Sequence, residues 1–131
     1  GVRAKFGVGP ESIPDYLGLV GDSADGFPGL PGWGAKSTGL VLARYGHLED
    51  IPAAAGQWDV SGLRGAAKLS ATLQAQIEDA VLFRRIATVE TDIDVGRVDE
   101  WRWTGPTDSF ATVAEELGSP GLAGTAARLT R

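Results

Sequence analysis

The chain has 131 residues, a length typical of a single domain, and 43% of them are hydrophobic, which is enough to form a packed core. It contains no cysteine, so disulfides and thiolate metal sites are excluded. No apolar run is long enough to span a bilayer, and the start lacks a signal-peptide pattern. We therefore predict one compact domain over residues 1–131 and no membrane partner.

The net charge of −5 is distributed unevenly along the chain. Residues 1–30 carry two cations against four acids, residues 31–85 six against five, and residues 86–131 four against eight. The cations are thus concentrated in the middle of the chain. We expect a local phosphate-binding face on an acidic body, which excludes nonspecific adhesion to a polyanion over the whole surface.

The first half of the chain predicts a helix, a hairpin and a second helix. The first helix runs from Pro14, a residue favoured in a first turn, to the residue before Gly21. The density of glycine and proline over residues 21–34 excludes regular structure and predicts a hairpin. Helix is expected again over residues 35–45, with Gly46 as its C-terminal stop.

The second half also reads as helical, so the predicted class is all-α. A short helix is expected over residues 47–55, with His47 at its start, followed by a loop over residues 57–62. Apolar residues spaced close to four apart over residues 65–90 predict one long amphipathic helix or two in tandem.

The last part of the chain predicts a connector and two closing helices. Residues 91–98 are read as an extended segment, and the closing helices as residues 108–117 and 122–129. Thr107 or Asp108 could cap the first of these helices, and Gly118 would end it. Trp101 and Trp103 alternate in an extended segment, which favours packing over base stacking.

Asp22 and Asp25 lie three residues apart on a tight bend, directly before the glycine-punctuated turn. Carboxylates at this spacing can face one hard cation such as Mg2+, which prefers oxygen ligands and keeps several waters. Aspartates in such segments also serve as turn or cap residues by bonding nearby backbone amides. Both interpretations stay open from the residues alone.

The turn Gly32-Trp33-Gly34 precedes a helix that begins with Lys36 and Ser37 in its first turn. Glycines let backbone amides approach an anion, and the helix start favours negative charge. A nucleotide phosphate loop does not fit, because Ala35 separates Gly34 from Lys36 and no hydrophobic strand precedes the segment. A phosphodiester would use both the amides and the nearby carboxylates.

Several runs of residues closely resemble the helix-hairpin-helix (helix-three-turn-helix) region of bacterial 5'-3' exonucleases. These are flap-endonuclease-like enzymes, found free-standing or as the N-terminal domain of DNA polymerase I. The runs that carry the resemblance are Lys5-Phe6-Gly7-Val8, residues 10–22 and on through the hairpin to Tyr45-Gly46, then Leu63-Arg64-Gly65, residues 87–92 and residues 101–106. One departure is Gly26, where the family usually has asparagine.

The resemblance implies an all-α, compact multi-helix domain built around a helix-hairpin-helix (SAM-like) motif. It implies that Asp22 and Asp25 contribute to a two-metal Mg2+ or Mn2+ site completed by an N-terminal α/β catalytic domain absent from this chain. The chain alone is then expected to be inactive. It further implies a K+ ion at the hairpin carbonyls, a bacterial cytoplasmic, nucleoid-associated location, and a double-stranded DNA substrate with a 5' end, nick or flap.

Sequence-independent binding of duplex DNA is the function that this resemblance implies, because contacts to phosphate position a protein without reading sequence. The alternatives are a non-catalytic helix-hairpin-helix DNA-binding module of another repair protein, or a helical protein-interaction domain. Arg84 and Arg85 near a helix end are more readily explained by the helix dipole than by DNA. The residues expected to bind DNA are Gly32, Gly34, Lys36, Ser37, Arg64 and Lys68.

Overall fold

The computed structural model describes residues 1–129, and their regular structure is helical throughout, apart from one isolated antiparallel bridge between Asp22 and Phe27. The predicted all-α class is therefore confirmed. None of the helices within these residues is both long enough and apolar enough to cross a membrane.

Seven α-helices follow one another along the described chain, and four short 3-10 turns lie between them. The α-helices are α1 Val2–Phe6, α2 Ile13–Val20, α3 Ala35–Tyr45, α4 Ala66–Ala75, α5 Ile77–Ile86, α6 Phe110–Glu116 and α7 Gly121–Leu129. The 3-10 turns are Pro10–Ser12, Leu48–Asp50, Ala55–Gln57 and Val98–Trp101.

The chain divides into two compact units, Gly1–Thr91 and a second unit that begins at Asp92. Compact units can belong to one folding domain, so this division does not decide whether residues 1–131 are a single domain, and that assignment stays a prediction. Residues 130 and 131, the last two of the predicted domain, lie outside the described residues.

The predicted helix, hairpin and helix are present as α2, the segment 21–34 and α3, with Gly46 in the left-handed region at φ 82°. Residues 65–90 form two helices, because Gln76 (φ −132°, ψ 29°) leaves helical geometry between α4 and α5. The short helix expected over residues 47–55 is wrong: two 3-10 turns flank Pro52, which has no amide proton for a continuing helix.

The core of the first unit lies between α2, α3, α4 and α5. Its largest fully buried apolar side chains are Val8, Leu19, Val41, Leu42 and Leu73. Trp33, at the hairpin, is only 5% exposed and joins this cluster. Trp33 therefore packs into the core instead of extending outward from the hairpin.

The second unit contains α6 and α7, and Ala114 of α6 is buried. The residue before α6 is Ser109, and no side chain caps the helix, so the caps expected from Thr107 or Asp108 are wrong. Trp101 donates from Nε1 to the Val95 carbonyl at 2.8 Å. Trp101 and Trp103 are 59% and 54% exposed, so the packing expected for them is also wrong.

Close approach of α2 to α5 depends on Gly18. A Cβ at this position would lie 2.8 Å from the Ala80 carbonyl oxygen and 3.2 Å from the Arg84 nitrogen, both backbone atoms. Because backbone cannot move aside as a flexible side chain can, only glycine permits this separation of the two helices.

We predict that Gly18→Ala lowers the free energy of unfolding by about 1–3 kcal/mol through overpacking, despite the higher helix propensity of alanine. Chemical denaturation would measure this. Gly124→Ala is the matched control in α7, since its Cβ would meet only the Arg128 guanidinium at 3.8 Å. A Gly18→Ala protein as stable as the control would contradict the tight crossing.

Candidate nucleic-acid interface

Two glycines fix the base of the hairpin. Gly21 (φ 88°) and Gly29 (φ 69°) face each other so closely that a Cβ on either would lie 2.4 Å from backbone atoms of the opposite strand of the hairpin. The Asp22–Phe27 bridge and the bond from the Leu30 amide to the Leu19 carbonyl, at 2.8 Å, close the base. The residues that leave and re-enter the hairpin are therefore held by backbone contacts.

Aromatic packing anchors the hairpin to the helices beneath it. Phe27 is 4% exposed and stacks on Phe83 of α5 with ring centroids 5.5 Å apart. Leu30 and Trp33 are buried as well, and Trp33 contacts Trp58 at a centroid distance of 6.1 Å. The apolar residues face the core, which leaves the glycines Gly32 and Gly34 exposed.

The start of α3 presents free backbone donors. Ser37 Oγ accepts the Gly34 amide at 3.1 Å and donates to the Gly34 carbonyl at 3.0 Å. The first intrahelical bond comes from the Thr38 amide to Gly34. Within the described residues, the amides at this turn that donate no hydrogen bond are those of Gly32, Ala35, Lys36 and Ser37.

This geometry refines the roles expected for two predicted residues. Gly34 contributes no free amide, but its missing side chain keeps the approach open, since a Cβ there would meet nothing within 4 Å. Ser37 uses its hydroxyl to fix the turn and offers only its backbone amide to a ligand. Neither assignment came from the sequence, because both depend on the rotamer of one side chain.

A second glycine turn lies beside the first. Gly62 and Gly65 take φ values of 76° and 72° on either side of Arg64, immediately before α4. Trp58, which packs on Trp33, is fixed by a 2.6 Å bond from Nε1 to the Pro52 carbonyl. Tyr45 Oη accepts the Asp59 amide at 2.9 Å. These contacts hold the second turn against α3.

The two turns enclose an open groove of about 590 Å³. Five of the six residues predicted to bind DNA border it: Gly32, Gly34, Lys36, Ser37 and Arg64. Lys68 is exposed four residues after Arg64 but does not line the groove. The structure therefore brings together residues almost thirty positions apart in the sequence.

Asp22 and Asp25 share a turn but not a cavity. Asp22 Oδ1 accepts the amides of Ala24 at 2.9 Å and Asp25 at 3.4 Å, as expected of a turn residue. Asp22 lines a cavity of about 500 Å³, whereas Asp25 is exposed and is not among its lining residues. No group of three His, Cys, Asp or Glu residues among residues 1–129 is placed to hold a metal.

A buried carboxylate that the sequence analysis missed links the helices behind the hairpin. Asp15 of α2 accepts bonds from His47 Nδ1 at 2.9 Å, the Leu48 amide at 3.3 Å and Arg84 Nη1 at 2.9 Å. Arg84 also binds Glu49 through both terminal nitrogens, at 2.7 and 2.6 Å. His47 is therefore an ion-pair partner, not merely the first residue of a helix.

The charges of this cluster shift its pKa values. The hydrogen bond to Asp15 raises the pKa of His47, and the Arg84 guanidinium lowers the pKa of Glu49. The same carboxylates raise the pKa of Arg84. Arg84 forms ion pairs with Asp15 and Glu49, and Arg85 forms one with Glu90. Both arginines therefore have partners within the fold, and neither is left unpaired to bind DNA.

Residues 8–109 match the family model described as 5'-3' exonuclease, C-terminal SAM fold. The chain belongs to this family. The match includes both glycine turns, the Asp22–Asp25 bend and the Asp15 cluster. The SAM-like fold expected from the resemblance is confirmed by the family and by the helical structure together.

Relatives of this SAM-fold chain carry the names of DNA-processing enzymes. DNA polymerase I of Pseudomonas aeruginosa is 43% identical over 96 residues, 72% of this chain and 10% of that protein. DNA polymerase I of Bacillus caldotenax is 36% identical over 119 residues, which are 89% of this chain and 13% of that protein. Flap endonuclease Xni of Vibrio campbellii is 36% identical over 106 residues, which are 80% of this chain and 38% of that protein. The chain thus spans well under half the length of these relatives.

We predict that stability depends on pH through His47 and Glu49. The His47 contribution is complete below its ordinary pKa of 6.5 and is lost as pH rises through the raised folded value. The Glu49 contribution is complete above 4.5 and is lost as pH falls through the lowered folded value. The cluster should therefore stabilise the SAM fold most between pH 4.5 and 6.5.

The free energy of unfolding measured by denaturation across this range would test the prediction. His47 is the single histidine and there is no cysteine, so His47→Gln should flatten the decline on the alkaline side, between about pH 6 and 8. Glu49→Gln should flatten the acid side alone. Equal alkaline slopes in the wild type and His47→Gln would refute a role for this ion pair.

Proposed function

We propose that this chain is the duplex-DNA-binding part of a metal-dependent 5'-3' exonuclease or flap endonuclease, and that it binds the sugar-phosphate backbone without reading sequence. The observation that carries the proposal is the groove between the two glycine turns, which combines free amides with two cationic side chains. The names of the relatives, 5'-3' exonuclease, flap endonuclease and DNA polymerase I, agree with a nucleic-acid ligand.

The chemistry of the groove suits a phosphodiester. Three backbone amides without hydrogen-bond partners lie at the start of α3, where the dipole favours an anion, and the free Gly32 amide lies in the turn before it. Lys36 and Arg64 add full charges, and neither has an ion pair among the described residues. Since every phosphate of the duplex is alike, such a groove binds any sequence. A 5' end, nick or flap beyond the bound duplex would be the substrate of the parent enzyme.

Hairpin carbonyls support a further element of the proposal, a K+ ion between the hairpin and a DNA phosphate. The carbonyl oxygens of Pro31, Gly32 and Trp33 accept no hydrogen bond within the described residues. Alkali cations take carbonyl oxygens of this kind as ligands, and a cation held there would attract a phosphate oxygen.

Asp22 is suited to divalent-metal binding as part of a larger ligand set. Its Oδ2 is free of hydrogen bonds and ion pairs within the described residues and faces no basic side chain. The exposed Asp25 would add a second oxygen from the rim of the same turn. We propose that both serve one metal whose other ligands come from a catalytic domain outside this chain. Asp22 and Asp25 would help to hold one ion of a Mg2+ or Mn2+ pair, which would supply an activated water and stabilise the leaving oxygen in phosphodiester hydrolysis.

The nuclease activity thus belongs to the parent protein, and we expect this chain alone to be inactive because most of the carboxylates are missing. A duplex-DNA ligand also favours a nucleoid-associated location in the bacterial cytoplasm. This chain would contribute a duplex-binding surface held in a fixed position and two metal ligands.

Lys36→Glu should weaken binding of a mixed-sequence duplex at least tenfold at low salt, because a groove cation becomes an anion. Gly34→Ala should weaken it as well, since the new methyl group stands in the open approach to the amides while φ, at −129°, stays favourable. Fluorescence anisotropy over a salt series would measure both. Gly56→Ala is the matched control, with equally open space at its Cβ but no place in the groove.

Absence of duplex binding by the wild-type chain at any salt would refute the proposed function and favour a protein-interaction domain. Binding that Lys36→Glu leaves unchanged would place the DNA on another surface.

In a Mn2+ titration monitored by NMR, the amide signals of residues 22–26 should broaden at lower Mn2+ concentrations than those of the other acidic residues. A bound paramagnetic ion broadens the signals of the nuclei near it. Asp22→Asn should abolish this preference while keeping the turn, since the amide oxygen still accepts the Ala24 bond. Asp79→Asn is the control on exposed acidic surface. Broadening spread evenly over the acidic residues would leave Asp22 and Asp25 as turn residues only.

A further inference from the structure

The cations of the first unit fall into two groups. Within Gly1–Thr91, four arginines form ion pairs with carboxylates: Arg3, Arg44, Arg84 and Arg85. The other four cations have no carboxylate partner among the described residues: Lys5, Lys36, Arg64 and Lys68. Three of these unpaired residues were already expected to bind DNA. Lys5 was not.

Lys5 borders a second groove that continues the first. This groove, of about 370 Å³, has Lys5, Phe6, Gly7 and Tyr16 on one wall. Its other wall is one face of α3, formed at helical spacing by Lys36, Gly39, Leu40 and Ala43. Ala35, Lys36 and Leu40 line both grooves, so the two are adjacent and Lys36 lies where they meet.

The backbone holds the Lys5 segment against α3. A Cβ on Gly39 would lie 2.8 Å from the Phe6 carbonyl oxygen, so the end of α1 touches the helix where it has no side chain. The Phe6 ring packs edge-on against Tyr16 at a centroid distance of 5.3 Å. Lys5 Nζ lies over the Phe6 ring, 5.0 Å from its centroid, which keeps the ammonium group on the groove side.

We propose that Lys5 is a phosphate-binding residue that extends the DNA-binding surface from the first groove into the second. This inference rests on the proposed function. The α3 face from Lys36 to Ala43 is about 10 Å long at 1.5 Å per residue. Phosphates of one strand follow one another every ~3.4 Å along the duplex axis. A strand that is bound at Lys36 and continues from the first groove into the second would present further phosphates along this face, and Lys5 would meet one of them.

Salt dependence of duplex binding tests the proposal, because each lost phosphate contact lowers the slope of log K against log salt by about 0.9. Lys5→Gln should lower the affinity several-fold at low salt and reduce the slope by about this amount. Lys5→Arg should restore the wild-type slope, since a cation on a long side chain is kept. Melting curves would confirm that the variants fold.

Arg3→Gln is the matched control. It removes the same charge from the same short helix, but Arg3 is 78% exposed, pairs with Glu11 and lies outside both grooves. Its slope should equal that of the wild type. Equal losses for Lys5→Gln and Arg3→Gln would overturn the proposal, since net charge alone would explain them.

The outcomes also separate this inference from the proposed function. Wild-type binding that Lys36→Glu weakens and Lys5→Gln leaves intact would overturn the role of Lys5 and retain the groove at the glycine turns. No wild-type binding would overturn both.

Discussion

The carboxylate of Asp15 is the constraint on which the hairpin depends. It is buried on α2, and burial of a charge is unfavourable unless that charge is well bonded. Its three donors come from His47, Leu48 and Arg84, that is, from the segment directly after α3 and from α5. One side chain therefore ties α2 to the segment that follows α3 and to α5, at a point in the chain well away from the turn. The segment 21–34 can therefore be rich in glycine, a flexible residue, and still be held in one position relative to the helices.

This arrangement also explains how an acidic chain can present a cationic groove. The cations of the first unit that stabilise the fold are neutralised by carboxylates, as Arg84 is by Asp15 and Glu49. Those that lie at the glycine turns have no such partner. The net charge thus conceals a division between paired arginines and unpaired cations, and the unpaired cations are free to neutralise phosphates and so displace the counterions of a polyanion.

The sequence predicted the local parts of this structure and missed the distant ones. Pro14 and Gly46 mark the outer limits of the hairpin unit because proline and glycine act on the backbone where they stand. Gly26 takes φ 82°, a region that asparagine also tolerates, so the departure from the asparagine expected at this position is compatible with the same backbone turn. The partnership of Asp15 and His47 joins residues 32 positions apart and leaves no periodic signal. The five-residue helix α1 is too short for one.

Under the proposed function, the hairpin has two ends with different tasks. Asp22 lies near the start of the 21–34 segment, beside the Gly21–Gly29 contact, while the free amides lie near its end, at Gly32 and the start of α3. The start is held by the Asp22–Phe27 bridge and the Phe27–Phe83 stack, and the end by buried Trp33. Because both parts are anchored, the distance between them is fixed. A phosphate bound near Gly32 would then determine which bond of the strand reaches a metal at Asp22, so that the fold would measure distance along DNA without recognising a base.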